Sequence, residues 1–230
     1  MRKPLVSLVA LVSWYASFAT LQAPEALAFT CPDVTDHFAV GGQDSPAGYA
    51  NKANVLVNDF ALHQTDTWRA VGVYQNDDNL VEQGWFVSED YDQNAHPYRS
   101  WVDNGILGTG NWALINVPQG TSSYVEFGVK DINDDNMYEF IYNGGTLGDP
   151  KHVSISAGSA FGLSESESWC SSDSLKARFT ALRAVHSQGG GWQVYHSLNF
   201  YINTSYLRQY TYANETISIY HVCKPSACSF

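Results

Sequence analysis

Glu82 lies in the middle of an otherwise apolar segment, residues 80–87, and is the acidic residue of most chemical interest. In an extended strand, alternation places Glu82 on one face with Leu80 and Gly84, and places Trp85 on the other face. A carboxylate in such a strand is unfavourable to bury unless it is paired or used. We therefore take Glu82 as a candidate catalytic residue. The alternative is a carboxylate that faces solvent or lines a concave groove without chemistry.

Two further acidic residues, Glu165 and Glu167, stand at alternate positions within residues 162–169. They share a face if the segment is extended, and like charges so close repel unless they are exposed or protonated. If one of them met Glu82 across a groove, the two carboxyls would not both ionise easily. One would then act as general base on water and the other as general acid. The alternative is an exposed acidic strand end.

Strands must position these residues, because short segments rich in Val, Ile, Tyr, Phe and Trp recur between Gly, Asn, Asp and Pro. Period-two alternation is clear where Val125, Phe127 and Val129 share one face. A spacing of about 8–15 residues between such segments predicts an all-β sandwich. The predicted strands are residues 55–62, 68–75, 80–87, 111–117, 123–130, 137–142, 152–156, 192–200 and 216–222.

Two segments are harder to assign. Residues 174–185 fit a helix that begins after Asp173, and they also fit a strand, since Phe179 and Val185 fall on one alternation. Residues 31–54 are rich in Gly and Asp and show little periodicity, so we expect them to be loosely structured.

Residues 131–136 place oxygen-bearing side chains at alternate positions, as a calcium loop does. The segment has Asn136 at the sixth place, where such a loop has Gly, and Tyr142 at the twelfth, where it has Glu. This favours a hairpin turn over a calcium site. The seven His residues are scattered, and we expect neither a metal nor a cofactor.

The first 28 residues have the features of a secretory signal. Arg2 and Lys3 precede an apolar stretch, and residues 26–28, Ala-Leu-Ala, match a cleavage site. We predict a signal peptide over residues 1–28 and a single secreted domain over residues 29–230. An uncleaved anchor is the alternative, although the apolar run is short for a helix of about 20 residues that spans a bilayer.

All four cysteines follow this segment: Cys31, Cys170, Cys223 and Cys228. An even number in a secreted chain predicts two disulfides, with three connectivities open. Bridges that fix the two ends of the domain are the ones we favour. No Cys-x-x-Cys pair occurs, so zinc is the weaker interpretation.

The charge is acidic, with 23 Asp+Glu against 12 Lys+Arg and a formal net charge of −11. Binding to the phosphate backbone requires a basic excess, so nucleic acid is excluded as the expected partner. After signal cleavage we expect a monomer without membrane contact.

Several segments of the sequence resemble a known family, the neprosin-type glutamic peptidases. Residues 82–85, Glu-Gln-Gly-Trp, and 98–101, Tyr-Arg-Ser-Trp, resemble its Glu-x-Gly-Trp motif and the aromatic segment that follows. Residues 130–140 are similar to its Lys-Asp hairpin, and residues 176–179 resemble its late Lys-Ala-x-aromatic strand, which favours a strand over residues 174–185. The resemblance spans about residues 68–185. The fungal glutamic peptidases share this layout more distantly, with Gln where this chain has Glu82.

The resemblance implies a concanavalin-like antiparallel β-sandwich of the jelly-roll type, with a groove on its concave face. It implies that Glu82 and either Glu165 or Glu167 hydrolyse peptide bonds in acid, by activating water without a metal. It also implies that substrate contacts come from Trp85, Tyr98 and Trp101.

A different class of function is also open. Trp and Tyr side chains on a concave sheet can stack on sugar rings, so a secreted polysaccharide-binding module is the alternative. The Trp residues that would do so are Trp85, Trp101, Trp112 and Trp192. Paired carboxylates at a suitable separation also hydrolyse glycosides. A secreted interaction protein without either activity is a third interpretation.

Overall fold

The computed structural model describes residues 38–44, 49–57, 67–87, 94–111, 115, 117, 123–156, 158–166, 177–196, 198–202, 208–213 and 215–221. Within these ranges the chain forms strands and turns and no helix. None of these segments therefore forms an apolar helix of the length that crosses a bilayer. The predicted signal segment and all four cysteines lie outside the described residues, so cleavage and the two disulfides stay predictions.

The described residues form fifteen strands in chain order. Their bounds are β1 Phe38–Asp44, β2 Ala50–Leu56, β3 Thr67–Asn76, β4 Asn79–Val87, β5 His96–Asp103, β6 Ile106–Asn111, β7 Tyr124–Ile132, β8 Met137–Tyr142, β9 Gly145–Thr146, β10 Lys151–His152, β11 Ser159–Ser166, β12 Ala177–Val185, β13 Leu198–Ile202, β14 Arg208–Ala213 and β15 Thr216–His221.

These strands build two antiparallel sheets. The seven-stranded sheet has the order β13-β1-β11-β3-β4-β5-β6. The eight-stranded sheet has the order β10-β8-β7-β2-β12-β15-β14, with β9 paired to β8. This arrangement confirms the predicted all-β antiparallel sandwich. Because β3 lies between β11 and β4, two segments about 80 residues apart in sequence meet on either side of one strand.

The core lies between the two sheets. Val71 and Trp85 of the seven-stranded sheet pack in one cluster with Phe127 and Phe179 of the eight-stranded sheet. Val81 packs in a second cluster with residues of β7 and β8. These side chains define the inner face of the seven-stranded sheet. By alternation, Glu82 and its neighbours at even positions of β4 lie on the opposite side, which we call the outer face.

Strand β4 is buried at all nine of its positions, on both faces. Strand β12 of the other sheet instead alternates between buried and exposed residues. The outer face of the seven-stranded sheet is therefore not an ordinary polar solvent face. The predicted alternation of Glu82 against Trp85 is confirmed.

Several sequence predictions match the observed elements. Residues 137–142 coincide with β8. The strand interpretation of residues 174–185 is confirmed over Ala177–Val185, which form β12, while residues 174–176 lie outside the described residues. The predicted turn over residues 131–136 joins β7 to β8, and Asn133, Asp134 and Asn136 there have left-handed backbones. Such short polar residues tolerate that conformation.

Other predictions were wrong. Residues 38–44 and 50–56 form β1 and β2, although small and polar residues hide their periodicity. Strand β10 overlaps the predicted strand 152–156 at His152 alone, and β13 begins at Leu198 rather than at residue 192. Strands β5 and β6 were missed because β5 starts with His-Pro and β6 is rich in Gly. The predicted strand over residues 111–117 lies largely outside the described residues.

Candidate active site

Glu82 occupies the middle of β4, and four positions adjoin it on the outer face. Gly72 on β3 and Ser100 on β5 are its partners across the neighbouring strands. Along β4, Leu80 precedes it and Gly84 follows. Three of these four residues have a very small side chain or none, so the positions next to the carboxyl group contribute little side-chain bulk. We call this area the Glu82 depression.

Both glycines of the depression are required by close backbone contacts. A Cβ atom on Gly72 would lie 2.3 Å from the carbonyl oxygen of Val81. One on Gly84 would lie 1.7 Å from the carbonyl oxygen of Arg69. Neither position admits a side chain without moving a strand, so the floor of the depression is fixed by backbone packing. An isolated Gly inside a strand signals such a close approach, and this was the available sequence signal for the depression.

Two apolar clusters flank Glu82 on the outer face. The Phe161 cluster consists of Leu80, Val102, Phe161 and Leu163. The Trp68 cluster consists of Trp68, Ala70, Phe86 and Tyr98. All eight side chains are buried. Glu82 lies between Leu80 of the first cluster and Phe86 of the second, so its carboxyl group stands in mostly apolar surroundings.

The carboxyl group of Glu82 is 6% exposed and has few polar contacts. Tyr98 Oη donates a hydrogen bond to Glu82 Oε1 at 3.4 Å. Among the described residues, Oε2 of Glu82 has no hydrogen-bond partner. Burial disfavours the charged form and raises the pKa of Glu82 to about 7, and the bond from Tyr98 opposes this shift.

With a pKa of about 7, Glu82 changes its hydrogen-bonding groups between acid and neutral pH. In acid the group is a neutral carboxylic acid, with one O–H donor and one carbonyl acceptor. A peptide amide carries the complementary acceptor and donor. Above neutral pH the group becomes a carboxylate that only accepts hydrogen bonds. The site can therefore hold or release a proton near neutral pH.

The register does not bring Glu165 beside Glu82. Glu165 pairs with Trp68 on β3, whereas Glu82 pairs with Gly72. The two glutamates therefore lie two strands and four positions apart, which is about 10 Å across the sheet and about 13 Å along it. Carboxylate pairs that share a proton are about 3 Å apart. The side chain of Glu165 and all of Glu167 lie outside what the structure describes, so their catalytic role stays a prediction.

Phe161 occupies the position that faces Glu82 across β3. Gly72 pairs with Glu82 on one side and with Phe161 on the other, so the three residues form one row on the outer face. Two ring atoms of Phe161 lie 2.7 and 2.8 Å from the place where a Cβ of Gly72 would stand. The ring thus lies over the one position in this row without a side chain. Sequence reasoning missed Phe161, because the pairing of β11 with β3 is not readable from local pattern.

Asn51 holds this row from the inner face. Its Nδ2 donates to the carbonyl oxygens of Gly72 at 3.0 Å and of Phe161 at 2.6 Å. Its Oδ1 accepts a hydrogen bond from Tyr195 Oη at 2.7 Å. Asn51 and Tyr195 are buried. One side chain of the eight-stranded sheet therefore fixes both partners of the Gly72–Phe161 pair.

Two of the predicted substrate contacts are not on the outer face. Trp85 is fully buried in the core, and its Nε1 donates to the carbonyl oxygen of Leu56 at 3.2 Å. Trp101 packs against Phe140 of the eight-stranded sheet, with ring centroids 6.1 Å apart. Alternation places both rings opposite to Glu82, so the prediction that they line its cleft was wrong. Of the predicted contacts, Tyr98 is the one that the structure brings to Glu82.

The described residues contain no group of three or more His, Cys, Asp or Glu side chains arranged to hold a metal ion. The Asp131–Asp135 turn uses its carboxylates locally instead. Asp131 Oδ1 accepts from the amide of Asp135 at 3.2 Å, and Asp135 Oδ1 accepts from the amide of Met137 at 3.2 Å.

The fold is shared with solved glutamic peptidases. A structure of scytalidoglutamic peptidase with a peptide-based transition state analogue superposes with a TM-score of 0.57 at 11% identity. The match covers 82% of this chain and 100% of that one. SCP-B, a member of the eqolisin family of peptidases in complex with the tripeptide Ala-Ile-His, gives a TM-score of 0.52 at 12% identity, with the same coverage.

Sequence comparison adds no relative. No protein-family model matches the chain, and no curated protein matches it. The TM-scores of 0.57 and 0.52 show a common fold, and identities of 11–12% leave the reaction open. The chain therefore has the β-sandwich of the glutamic peptidases, while the resemblance to the neprosin type stays a prediction.

Proposed function

We propose that this protein is secreted and binds polypeptide chains in acid, on the outer face of its seven-stranded sheet. The observation that carries the proposal is the buried carboxyl group of Glu82, which has a pKa of about 7 and an unpartnered oxygen among the described residues. In its neutral form this group pairs with one backbone amide of a ligand by donating and accepting a hydrogen bond. The flanking Phe161 and Trp68 clusters bind apolar side chains next to that amide.

A polypeptide is the favoured ligand because of the fold. The two solved proteins named above are peptidases, one in complex with a peptide-based transition state analogue and the other with a tripeptide. The polysaccharide alternative has no comparable support, since the aromatic rings predicted to stack on sugars include Trp85 and Trp101, which face away from Glu82.

Peptide hydrolysis in acid is the second candidate. It is favoured by the shared fold and by the raised pKa of Glu82, which is that of a general acid near neutral pH. It requires a second carboxylate, and Glu165 or Glu167 is the one predicted from sequence. We rank it second because the described position that faces Glu82 holds Phe161.

One experiment separates the two candidates. Wild type and Glu82→Gln are incubated with a random-sequence peptide mixture at about pH 5, where a carboxyl group of pKa near 7 is neutral. Retained peptides and new cleavage products are both identified by mass spectrometry. Glu139→Gln on β8, outside the site, is the matched control.

We expect wild type and Glu82→Gln to retain a common set of apolar-flanked peptides uncleaved, because an amide side chain also donates and accepts. Cleavage by wild type that is lost in Glu82→Gln and kept in Glu139→Gln would replace the first candidate by the second. Retention of insoluble polysaccharide in a parallel incubation, with peptides neither retained nor cleaved, would overturn both. Sequencing of the N-terminus of protein recovered from the culture medium tests secretion, with Phe29 expected as the first residue.

A further inference from the structure

We propose that Phe161 is the residue that keeps water away from Glu82, and that it thereby makes the Glu82 depression a binding site rather than a hydrolytic one. The exclusion of water by Phe161 concerns the chain alone and is tested without any ligand. That the Glu82 depression binds a peptide instead of hydrolysing it rests on the proposed function.

The position of the ring carries the first step. Phe161 and Glu82 lie in one row on the outer face, separated by Gly72 alone. Ring atoms Cζ and Cε1 lie 2.7 and 2.8 Å from the place where a Cβ of Gly72 would stand, so the ring reaches across β3 towards β4. Any side chain at position 72 would meet this ring. The missing side chain of Gly72 is therefore what lets the Phe161 ring extend towards Glu82.

The ring is also held in place. It packs with Leu80 of β4 and Val102 of β5, the two strands beyond Gly72. Its own carbonyl oxygen and that of Gly72 both accept hydrogen bonds from Asn51, which fixes the two backbones from the inner face. Phe161 is buried, with 6% of its surface exposed. A rotation of the ring away from Glu82 would break this packing.

The chemical consequence follows from what a water molecule needs. A water held in a protein has two to four polar partners, and hydrolysis by two carboxyls places it between an acid and a base. On the β11 side of Glu82 the facing side chain is a phenyl ring, which donates and accepts no conventional hydrogen bond. A water molecule at this place would have Glu82 as a hydrogen-bond partner, and Phe161 would supply no second acid or base. Dry apolar surroundings also account for the neutral form of Glu82.

The test is the titration of Glu82 in three proteins. Glutamate labelled with ¹³C at the side-chain carboxyl gives one signal per residue, and the Glu82 signal is the one missing in Glu82→Gln. In wild type we expect a midpoint of about 7. In Phe161→Leu, which lacks the ring tip, water enters and the midpoint falls by about one unit. Phe127→Leu, the same change at a buried Phe between the sheets, leaves it unchanged.

A fourth protein tests the facing position directly. In Phe161→Glu two carboxyls adjoin Gly72 from opposite strands, so they titrate as a coupled pair with one step below and one step above the wild-type midpoint. Unchanged Glu82 midpoints in Phe161→Leu and Phe161→Glu, with native spectra elsewhere, would overturn the inference. A lowered midpoint in Phe161→Leu combined with no peptide retention by wild type would keep the exclusion of water and remove the proposed function. If Phe161→Leu unfolds, Phe161→Met, whose flexible side chain fills irregular gaps in a core and also lacks the ring, takes its place.

Discussion

Asn51 and Glu82 are buried polar side chains that meet the same strand pair from opposite faces. Asn51 approaches Gly72 and Phe161 from between the sheets and makes three hydrogen bonds of 2.6–3.0 Å. Glu82 lies beside the same pair on the outer face, and its one described hydrogen bond, from Tyr98, is 3.4 Å long. The two residues share burial and differ in how fully their polar atoms are satisfied.

This difference separates a structural residue from a functional one. A buried polar group with all its hydrogen bonds made contributes to stability and defines one arrangement, whereas an unsatisfied one destabilises the fold and calls for an explanation. The satisfied Asn51 amide stabilises the positions of Gly72 and Phe161. The Glu82 carboxyl group destabilises the fold and keeps an oxygen that can bind a ligand by a hydrogen bond. Changes at the two residues should therefore have opposite signs.

The largest effect we expect is a pH dependence of stability due to Glu82. Its pKa rises from 4.5 in the unfolded chain to about 7 in the fold. The folded state thus binds the proton more tightly, and this stabilisation is complete below about pH 4.5 and is lost as the pH rises through about 7. The difference is roughly 3 kcal/mol. Urea unfolding of wild type across this range measures it.

Glu82→Gln is the variant that isolates this contribution. It removes the titrating group, so its free energy of unfolding should lack the roughly 3 kcal/mol fall assigned to Glu82 and exceed that of wild type above neutral pH. Glu139→Gln should keep the wild-type profile. Parallel curves for wild type and Glu82→Gln would mean that Glu82 is solvated in the fold.

The second effect concerns Asn51. Asn51→Leu removes three hydrogen bonds and leaves the Tyr195 hydroxyl without its Asn51 acceptor, so we expect a loss of about 2 kcal/mol. Asn54→Leu on the same strand, at a half-buried position on the other face, is the matched control and should change stability by less than about 0.5 kcal/mol. Equal losses in both variants would contradict the role assigned to the Asn51 amide.

A smaller effect is expected for Tyr195→Phe, which removes one donor to Asn51 and should reduce the free energy of unfolding by about 1 kcal/mol. Combined with Asn51→Leu, it should add little, because both changes break the same bond. A double mutant whose loss is the sum of the two single losses would show that Tyr195 acts elsewhere.

The smallest effect is at Tyr98. Its long hydrogen bond favours the ionised form of Glu82, so Tyr98→Phe should raise the pKa of Glu82 slightly further, by less than about one unit. The carboxyl titration by NMR measures the shift. A fall of the midpoint instead would indicate that removal of the hydroxyl admits water, and that Tyr98 contributes more by shielding than by hydrogen bonding.

The sequence predicted the features of the site that depend on local alternation within one strand. Alternation within residues 80–87 separates Glu82 from Trp85, and the structure confirms that separation. The same alternation argues against Trp85 as a cleft residue, so the resemblance misled where the pattern was right. Gly72 and Gly84 carried a signal of close backbone approach that was readable but not used.

The identity of the residue that faces Glu82 depends instead on the long-range register between strands. Nothing near Phe161 in the sequence shows that it pairs with Gly72, because the two positions are 89 residues apart and the pairing is set by the whole sheet. A shift of four positions along β11 would place Glu165 opposite Gly72 and move Phe161 out of the row of Glu82. The site was therefore predicted at Glu82 and Tyr98, while its facing residue was not. Asn51 was missed for a related reason, since β1 and β2 show weak periodicity.

The most direct test of the central claim is the pH dependence of peptide binding. One peptide retained by the wild-type protein is titrated by calorimetry from about pH 5 to about pH 9, against wild type and Glu82→Gln. If neutral Glu82 pairs with the ligand, wild-type affinity falls as the pH rises through about 7, while Glu82→Gln binds with nearly constant affinity. Affinities that change in parallel for the two proteins, or a wild-type affinity that rises with pH, would contradict the account.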